Sequence, residues 1–318
     1  MPSPTARPAL WMLCGALAFA VMGALTHALG SRCDWLLIAL VRALFMFVLA
    51  VGMARLSGAR LVIWEPPTLW VRSLAGSFSL VCNFYAMTRL PIADVLTLTN
   101  TYPLWIVLMS AALLGVSPSW VEIAGVISGL AGVALIQRPH LGGDRLAAAI
   151  ALASSVSTAV AMLGLHRLRG LDARAIVAHF SGVGSLVAGA WLLLRGVPDL
   201  SRELEPATLL MLLGVGISGT IGQLFLTRAY AAGPPGEVSV VGLSQVVFAM
   251  GFDMLIWGRR LTPLTLVGFA LVLGPSAVLT GRAARRLAPA RGRDRLDFAA
   301  RLRDDPSVRL DETRGTTR

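Results

Sequence analysis

Apolar residues in this chain come in long unbroken runs, separated by short segments that carry Gly, Pro and Arg. The runs cover residues 10–29, 36–54, 67–87, 92–114 and 119–137, then 146–166, 176–194, 207–228, 236–257 and 263–280. Each holds roughly the twenty residues that a helix needs to cross a ~30 Å hydrocarbon core. None alternates polar with apolar positions, so membrane strands are excluded and helix is predicted throughout. The expected fold is an all-α membrane protein with ten transmembrane helices, here spans 1 to 10. The first run follows Arg7, but no small-residue cleavage site precedes Arg32, so it reads as a retained helix and not a signal peptide.

The spans divide five and five about Pro139-His140-Leu141-Gly142-Gly143, and the second set repeats the first at an offset of 143 residues. Ala86, Pro91, Asp94 and Val95 return as Ala229, Pro234, Glu237 and Val238. Gly115, Gly125, Leu130 and Ala134 return as Gly258, Gly268, Leu273 and Ala277. A duplicated unit with an odd number of spans inserts its second copy upside down, which is the architecture of many transporters. The expected organisation is a cytoplasmic N-terminus (1–9), two inverted five-helix repeats (10–137 and 146–280) and an Arg-rich, disordered cytoplasmic tail (281–318).

Composition agrees: 56% of residues are hydrophobic, 14% are charged, and mean hydropathy is +0.72. The formal net charge of +11 comes entirely from arginine, with no lysine, and the tail alone holds 11 arginines against 6 acids. Charge beside a span sets topology, so the tail reads as a cytoplasmic segment touching anionic headgroups, not as a nucleic-acid arm. An even number of spans then puts both termini in the cytoplasm. The loops do not decide orientation, with seven arginines on the proposed inner side and eight on the outer.

Several function classes drop out. Cys14, Cys33 and Cys82 have no disulfide or metal spacing, and His27, His140, His166 and His179 are scattered. In spans 1 and 3, Cys14 and Cys82 read as small packing residues. No P-loop, GxSxG element or nucleophile–base pair is present, so neither an enzyme nor an ATP-driven pump is expected, and no cofactor or metal is called for. Small residues at helical spacing, such as Gly125/Gly129 in span 5, Gly15/Gly23 in span 1 and Gly214/Gly216/Gly219/Gly222 in span 8, predict close helix packing.

Polar side chains inside spans are costly, about 2.5–3.5 kcal/mol for a central Arg or Asp, so function is sought there. Span 2 carries Arg42; span 3 carries Arg72, Asn83 and Tyr85; span 4 carries Thr97, Thr99, Asn100, Thr101, Tyr102 and Pro103. Pro103 predicts a local kink that frees backbone groups toward a cavity. Spans 8 and 9 add Gln223, Ser239, Ser244, Gln245 and Asp253, and Gln245 matches Tyr102 under the repeat offset. Asp253 reads either as a snorkelling or ion-paired acid near Arg259 and Arg260, or as a proton- or cation-coupling carboxylate. Asp94 and Glu237 open spans 4 and 9, where an acid complements the helix dipole.

At these residues the chain resembles the EamA family of the drug/metabolite transporter superfamily. The resemblance is carried by Phe84-Tyr85-Ala86, Leu90-Pro91, Ala93-Asp94, Pro103, Leu114-Gly115, Gly125 and Gly132-Val133. It returns in Gly222-Gln223, Ala229-Tyr230, Gly233-Pro234, Val238, Gly258 and Gly268, and covers residues 10–280. The chain departs from the family at Val116 and Arg259, where an acid is common, and at Val246, where proline is usual. The resemblance implies a ten-helix carrier whose inverted halves enclose a cavity and move a small metabolite by alternating access.

The function expected is thus secondary transport of a small organic metabolite, in the export direction, across a bacterial inner membrane. Arg42, Arg72, Asn83, Tyr85, Asn100, Tyr102, Gln223 and Gln245 are the candidate substrate-binding residues, with the cavity lined by spans 1, 3, 4, 6, 8 and 9. The two arginines would favour an anionic solute, and Asp253 is the candidate coupling acid. A lipid-linked-sugar flippase, with a cavity open laterally to the bilayer, is the related alternative. A membrane-embedded enzyme and a non-transporting sensor are the distant ones.

Overall fold

A computed structural model describes residues 7–29, 32–87, 89–115, 117–140, 144–196 and 205–285. Among these, all regular structure is helical: α1 (Arg7–Leu29), α2 (Trp35–Leu56), α3 (Pro67–Met87), α4 (Ile92–Thr99), α5 (Tyr102–Leu114) and α6 (Trp120–Gln137). They are followed by α7 (Arg145–Arg167), α8 (Ala173–Arg195), α9 (Pro206–Ala232), α10 (Pro235–Gly242), α11 (Ser244–Trp257) and α12 (Pro263–Arg285). Nine helices among the described residues are long and apolar enough to cross a membrane, counting α4–α5 and α10–α11 as one each. With 21 residues α3 is as long as the others, but Arg72, Ser73, Ser77, Ser79 and Asn83 dilute its apolar character. The chain is an integral membrane protein. The expected tail falls outside the described residues beyond Arg285, as do residues 1–6 of the N-terminal segment.

Local chemistry sets the helix ends. Asp34, Asp144 and Asp172 accept backbone N–H bonds at the starts of α2, α7 and α8, and Ser119 and Glu122 form a reciprocal cap on α6. Gly115 and Gly258 close α5 and α11 in the left-handed conformation, at φ 66° and 65°.

Cross-links between helix ends define two faces. At one, here called proximal, the Arg167 guanidinium donates to the Leu113 carbonyl, and His166 meets the Tyr230 carbonyl at 3.2 Å. At the other, distal face, Asp34 pairs with Arg195, Asp144 with Arg89, and Arg138 donates to Thr262. Asp94 is buried and accepts the His140 N–H at 2.8 Å. It therefore ties down the linker between the two sets of helices, where capping of α4 was expected.

The main helix pairs are α1 with α9, α3 with α7, α2 with α8, and α6 with α12. Missing side chains make the close ones. A methyl on Gly132 would lie 2.7 Å from the Gly268 carbonyl oxygen, and one on Gly222 would lie 2.9 Å from the Phe19 ring. Ser128, one turn before Gly132, donates to the Leu271 carbonyl at 2.9 Å. Glycine packing is thus as expected for spans 5 and 8, but Gly23 meets nothing within 4 Å and lines a cavity instead. Cys14 is exposed, contrary to a packing role, whereas Cys82 is buried.

Candidate functional site

The polar cluster of span 4 folds as a break, not a bend. The Thr101 N–H bonds the Leu98 carbonyl and the Leu104 N–H bonds that of Thr101, tightening the turn between α4 and α5. Pro103, near the start of α5, has no N–H to contribute to the ladder. A second break separates α10 from α11 at Leu243, 143 residues after Asn100. There Leu243 bonds back to Val240 and Val246 to Leu243, although Val246 stands where the first copy has Pro103.

These breaks face each other across the molecule, with Tyr102 at their junction. A methyl on Gly242 would fall 2.7 Å from the Tyr102 hydroxyl and 2.8 Å from Met12 Cε. Tyr230 is fully buried close by, and its hydroxyl has no hydrogen bond of ordinary geometry among the described residues although it interacts with Tyr102.

Distal to this level opens a cavity of about 340 Å³ between α1, α4, α6 and α11. Gln245 and Asp253 line it together with Phe19, His27, Leu96 and Met250. Asp253 pairs with Arg259 at 3.1 Å, and Arg259 also donates to the Ile136 carbonyl at 3.2 Å. The His27 ring stands edge-on to Trp257 with centroids 4.6 Å apart.

Arg42 and Arg72 lie elsewhere, in a compact polar site among α2, α3, α8 and α9. The Arg72 guanidinium sits 3.9 Å from the centre of the Phe180 ring, and Arg72 is 1% exposed. Phe180 also lines, with Arg42, Ser77 and Ser181, a narrow pocket between α2, α3 and α8. Arg42 Nε, Arg72 Nε and Nη1, and Ser77 Oγ are buried without hydrogen-bond partners among the described residues. Gly219 makes room for Arg42, since a methyl there would lie 3.2 Å from its Nε.

The eight candidate binding residues therefore do not share one chamber. Gln245 lines the distal cavity, and Tyr102 lies outside its lining, packed against Gly242. Gln223 Nε2 and Asn83 Oδ1 are buried and unpartnered among the described residues, like the arginines. Asn100 turns back to donate to the Leu96 carbonyl at 2.7 Å and caps α4. Tyr85 lines a lateral groove of about 540 Å³ with Phe78, Cys82 and Trp191. Spans 3, 6 and 8, expected at the cavity, contribute no wall to the distal one, whereas span 5 does through Ile136 and Gln137. Sequence reading missed His27, Ser77, Phe180 and Tyr230. Each is an ordinary span residue by type, and only the partner it meets makes it notable.

A family model described as the EamA-like transporter family matches residues 6–138 and again 143–281. The chain belongs to that family. It is 30% identical over 265 residues to the pseudopaline exporter CntI of Pseudomonas aeruginosa, covering 80% of this chain and 89% of that protein. It is 27% identical over 207 residues to an uncharacterised transporter of Helicobacter pylori, covering 64% and 69%. A crystal structure at 21% identity superposes with a TM-score of 0.72 over 88% of this chain and 98% of the other, a likeness of fold. The protein is a transporter and not an enzyme. As an EamA-family member it acts on a small solute.

Proposed function

We propose that this EamA-family protein is a secondary transporter that exports a small organic metabolite by alternating access across a bacterial inner membrane. Its ten spans would form two inverted repeats. The helix pairing supports that reading, because span 1 packs on span 8 while its counterpart span 6 packs on span 3. The self-equivalent pairs, span 2 with 7 and span 5 with 10, are what a two-fold axis in the membrane plane requires. Span 4 also runs from the distal face to the proximal one, whereas span 9 runs the opposite way.

The observation that carries the function is the distal cavity ending on two opposed helix breaks. Broken helices at mid-depth free backbone groups where a solute can use them. Sealed beneath by Met12, Tyr102 and Gly242, this arrangement is the outward-open member of an alternating pair, with the proximal face and both termini cytoplasmic. In its inward-open partner the seal opens and the solute reaches Tyr102, Gln223, Asn83 and the two arginines from the other side. Buried unpaired guanidinium groups are expensive, so their retention favours a solute bearing a carboxylate or another anion. The likeness to the pseudopaline exporter supports the export direction. Asp253 and His27 at the cavity mouth are the groups through which proton movement would couple to transport.

The test is transport into vesicles with a solute picked by thermal-stabilisation screening of metabolites. Arg72→Gln and Gln245→Ala should each raise KM on the order of tenfold, the loss of one strong hydrogen bond. If both leave transport unchanged, the site is misplaced. A flippase reading draws on the lateral groove, where Phe78 and Trp191 are half-exposed to the bilayer. Its one cation, Arg195, is already paired with Asp34 at 3.3 Å, which leaves little to hold a headgroup.

A further inference from the structure

A second groove, of about 410 Å³, lies at the proximal end between α2, α8 and α9, away from the distal cavity. Met53, Leu56, Ile221 and Phe225 form its apolar wall, and Arg174 and Arg228 stand at its rim. The wall faces lipid: Leu56 is 91% exposed and Ile221 43%. The rim lies where the helices leave the hydrocarbon. Leu56 ends α2, Arg174 is in the first turn of α8, and Arg228 is in the last turns of α9.

The ion pairs of Arg89 with Asp144, Arg195 with Asp34 and Arg259 with Asp253 are distal. Arg174 and Arg228 have neither an ion pair nor a side-chain hydrogen bond among the described residues. Asp172, the acid nearest in sequence, caps α8 by accepting the Arg174 backbone N–H at 2.8 Å. Two uncompensated guanidiniums at interface depth above a hydrocarbon-lined slot match one kind of molecule. We propose that this groove binds an anionic glycerophospholipid, its phosphate held between Arg174 and Arg228 and an acyl chain laid along α2 and α9. Free phosphate would use the rim and leave the apolar wall exposed; a zwitterionic lipid would use the wall and gain less at the rim.

The purified full-length protein, in a neutral maltoside detergent, is titrated separately with phosphatidylglycerol, phosphatidylcholine and inorganic phosphate. Native mass spectrometry reads bound lipid, and thermal unfolding reads stabilisation. Phosphatidylglycerol should bind on the order of tenfold more tightly than phosphatidylcholine and raise Tm, while inorganic phosphate does neither. Arg174→Gln/Arg228→Gln should lose the preference, the paired Lys variant should keep part of it, and Arg60→Gln, an exposed proximal arginine outside the groove, should keep all of it. Equal binding of the two lipids, the same Tm gain from phosphate alone, or equal loss in Arg60→Gln would overturn the proposal. If the double Gln variant does not fold, the three-ligand comparison on the wild-type protein decides the matter alone. None of these readouts depends on the transported solute.

Discussion

Arg72 and Gly132 illustrate how much a single position depends on what faces it. Arg72 is tolerated in a buried setting because Phe180 offers the face of its ring, a cation–π contact that keeps its value where water is excluded. Gly132 is needed because the Gly268 carbonyl passes where a side chain would be. Gly132→Ala should therefore lower Tm, with overpacking costing about 1–3 kcal/mol. Gly52→Ala, at a helical glycine with open space around it, should leave Tm unchanged or raise it, since alanine is favoured by about 1 kcal/mol inside a helix. Thermal unfolding of the two variants in one detergent checks the contrast, and equal shifts would count against the close crossing of α6 and α12. Under the proposed coupling role, Asp253→Asn, which removes the acid paired with Arg259, should abolish proton-driven accumulation while solute exchange continues. If accumulation persists, Asp253 serves only its ion pair.

At the scale of elements, the broken spans are the main point. Pro103 made a disruption in span 4 legible, because a residue without an N–H leaves a gap in the helical ladder. Nothing of the kind marks Leu243, whose break at the matching level is made by tightened turns and by packing. Leu243 is fully buried, and its Cδ1 would lie 2.5 Å from a methyl on Gly129. Pro103→Ala should let α4 and α5 join more closely, lowering transport rate more than stability, as read from vesicle kinetics beside thermal unfolding. At the C-terminus of α11 the prediction is purely local. Gly258→Ala forces a left-handed residue and should cost about 1 kcal/mol in unfolding measurements, without altering KM.

For the molecule as a whole, the proposed alternating access requires the proximal contacts to part. Pro8 Cβ and Val238 Cγ2 both crowd Gly233, at 2.7 and 2.8 Å from where its methyl would be. An oxidised Pro8→Cys/Val238→Cys pair should therefore stop transport, and reductant should restore it. Transport unaffected by a formed disulfide would mean that this face does not move. The candidate site was legible only as a set of costly polar residues. Gln245 and Asp253 line the distal cavity, and Tyr102, which matches Gln245 at the 143-residue offset, packs at the neighbouring helix break. Tyr85 and Asn100 do not line the cavity, because helical rotation and a local cap, which spacing does not reveal, turned them away.

By itself the sequence determined the helical membrane character, the bounds of most helices to within a few residues, and the family. All of these follow from apolar run length and order, which are properties of the chain taken one segment at a time. Tertiary structure alone decided that Arg42 and Arg72 gather around Phe180, that Asp94 holds His140, and that Arg174 and Arg228, unlike the distal arginines in ion pairs, have no side-chain partner among the described residues. Those outcomes depend on which helix faces meet across long sequence distances, and in lipid that choice is made by close packing and pairing of side chains, not by hydrophobicity.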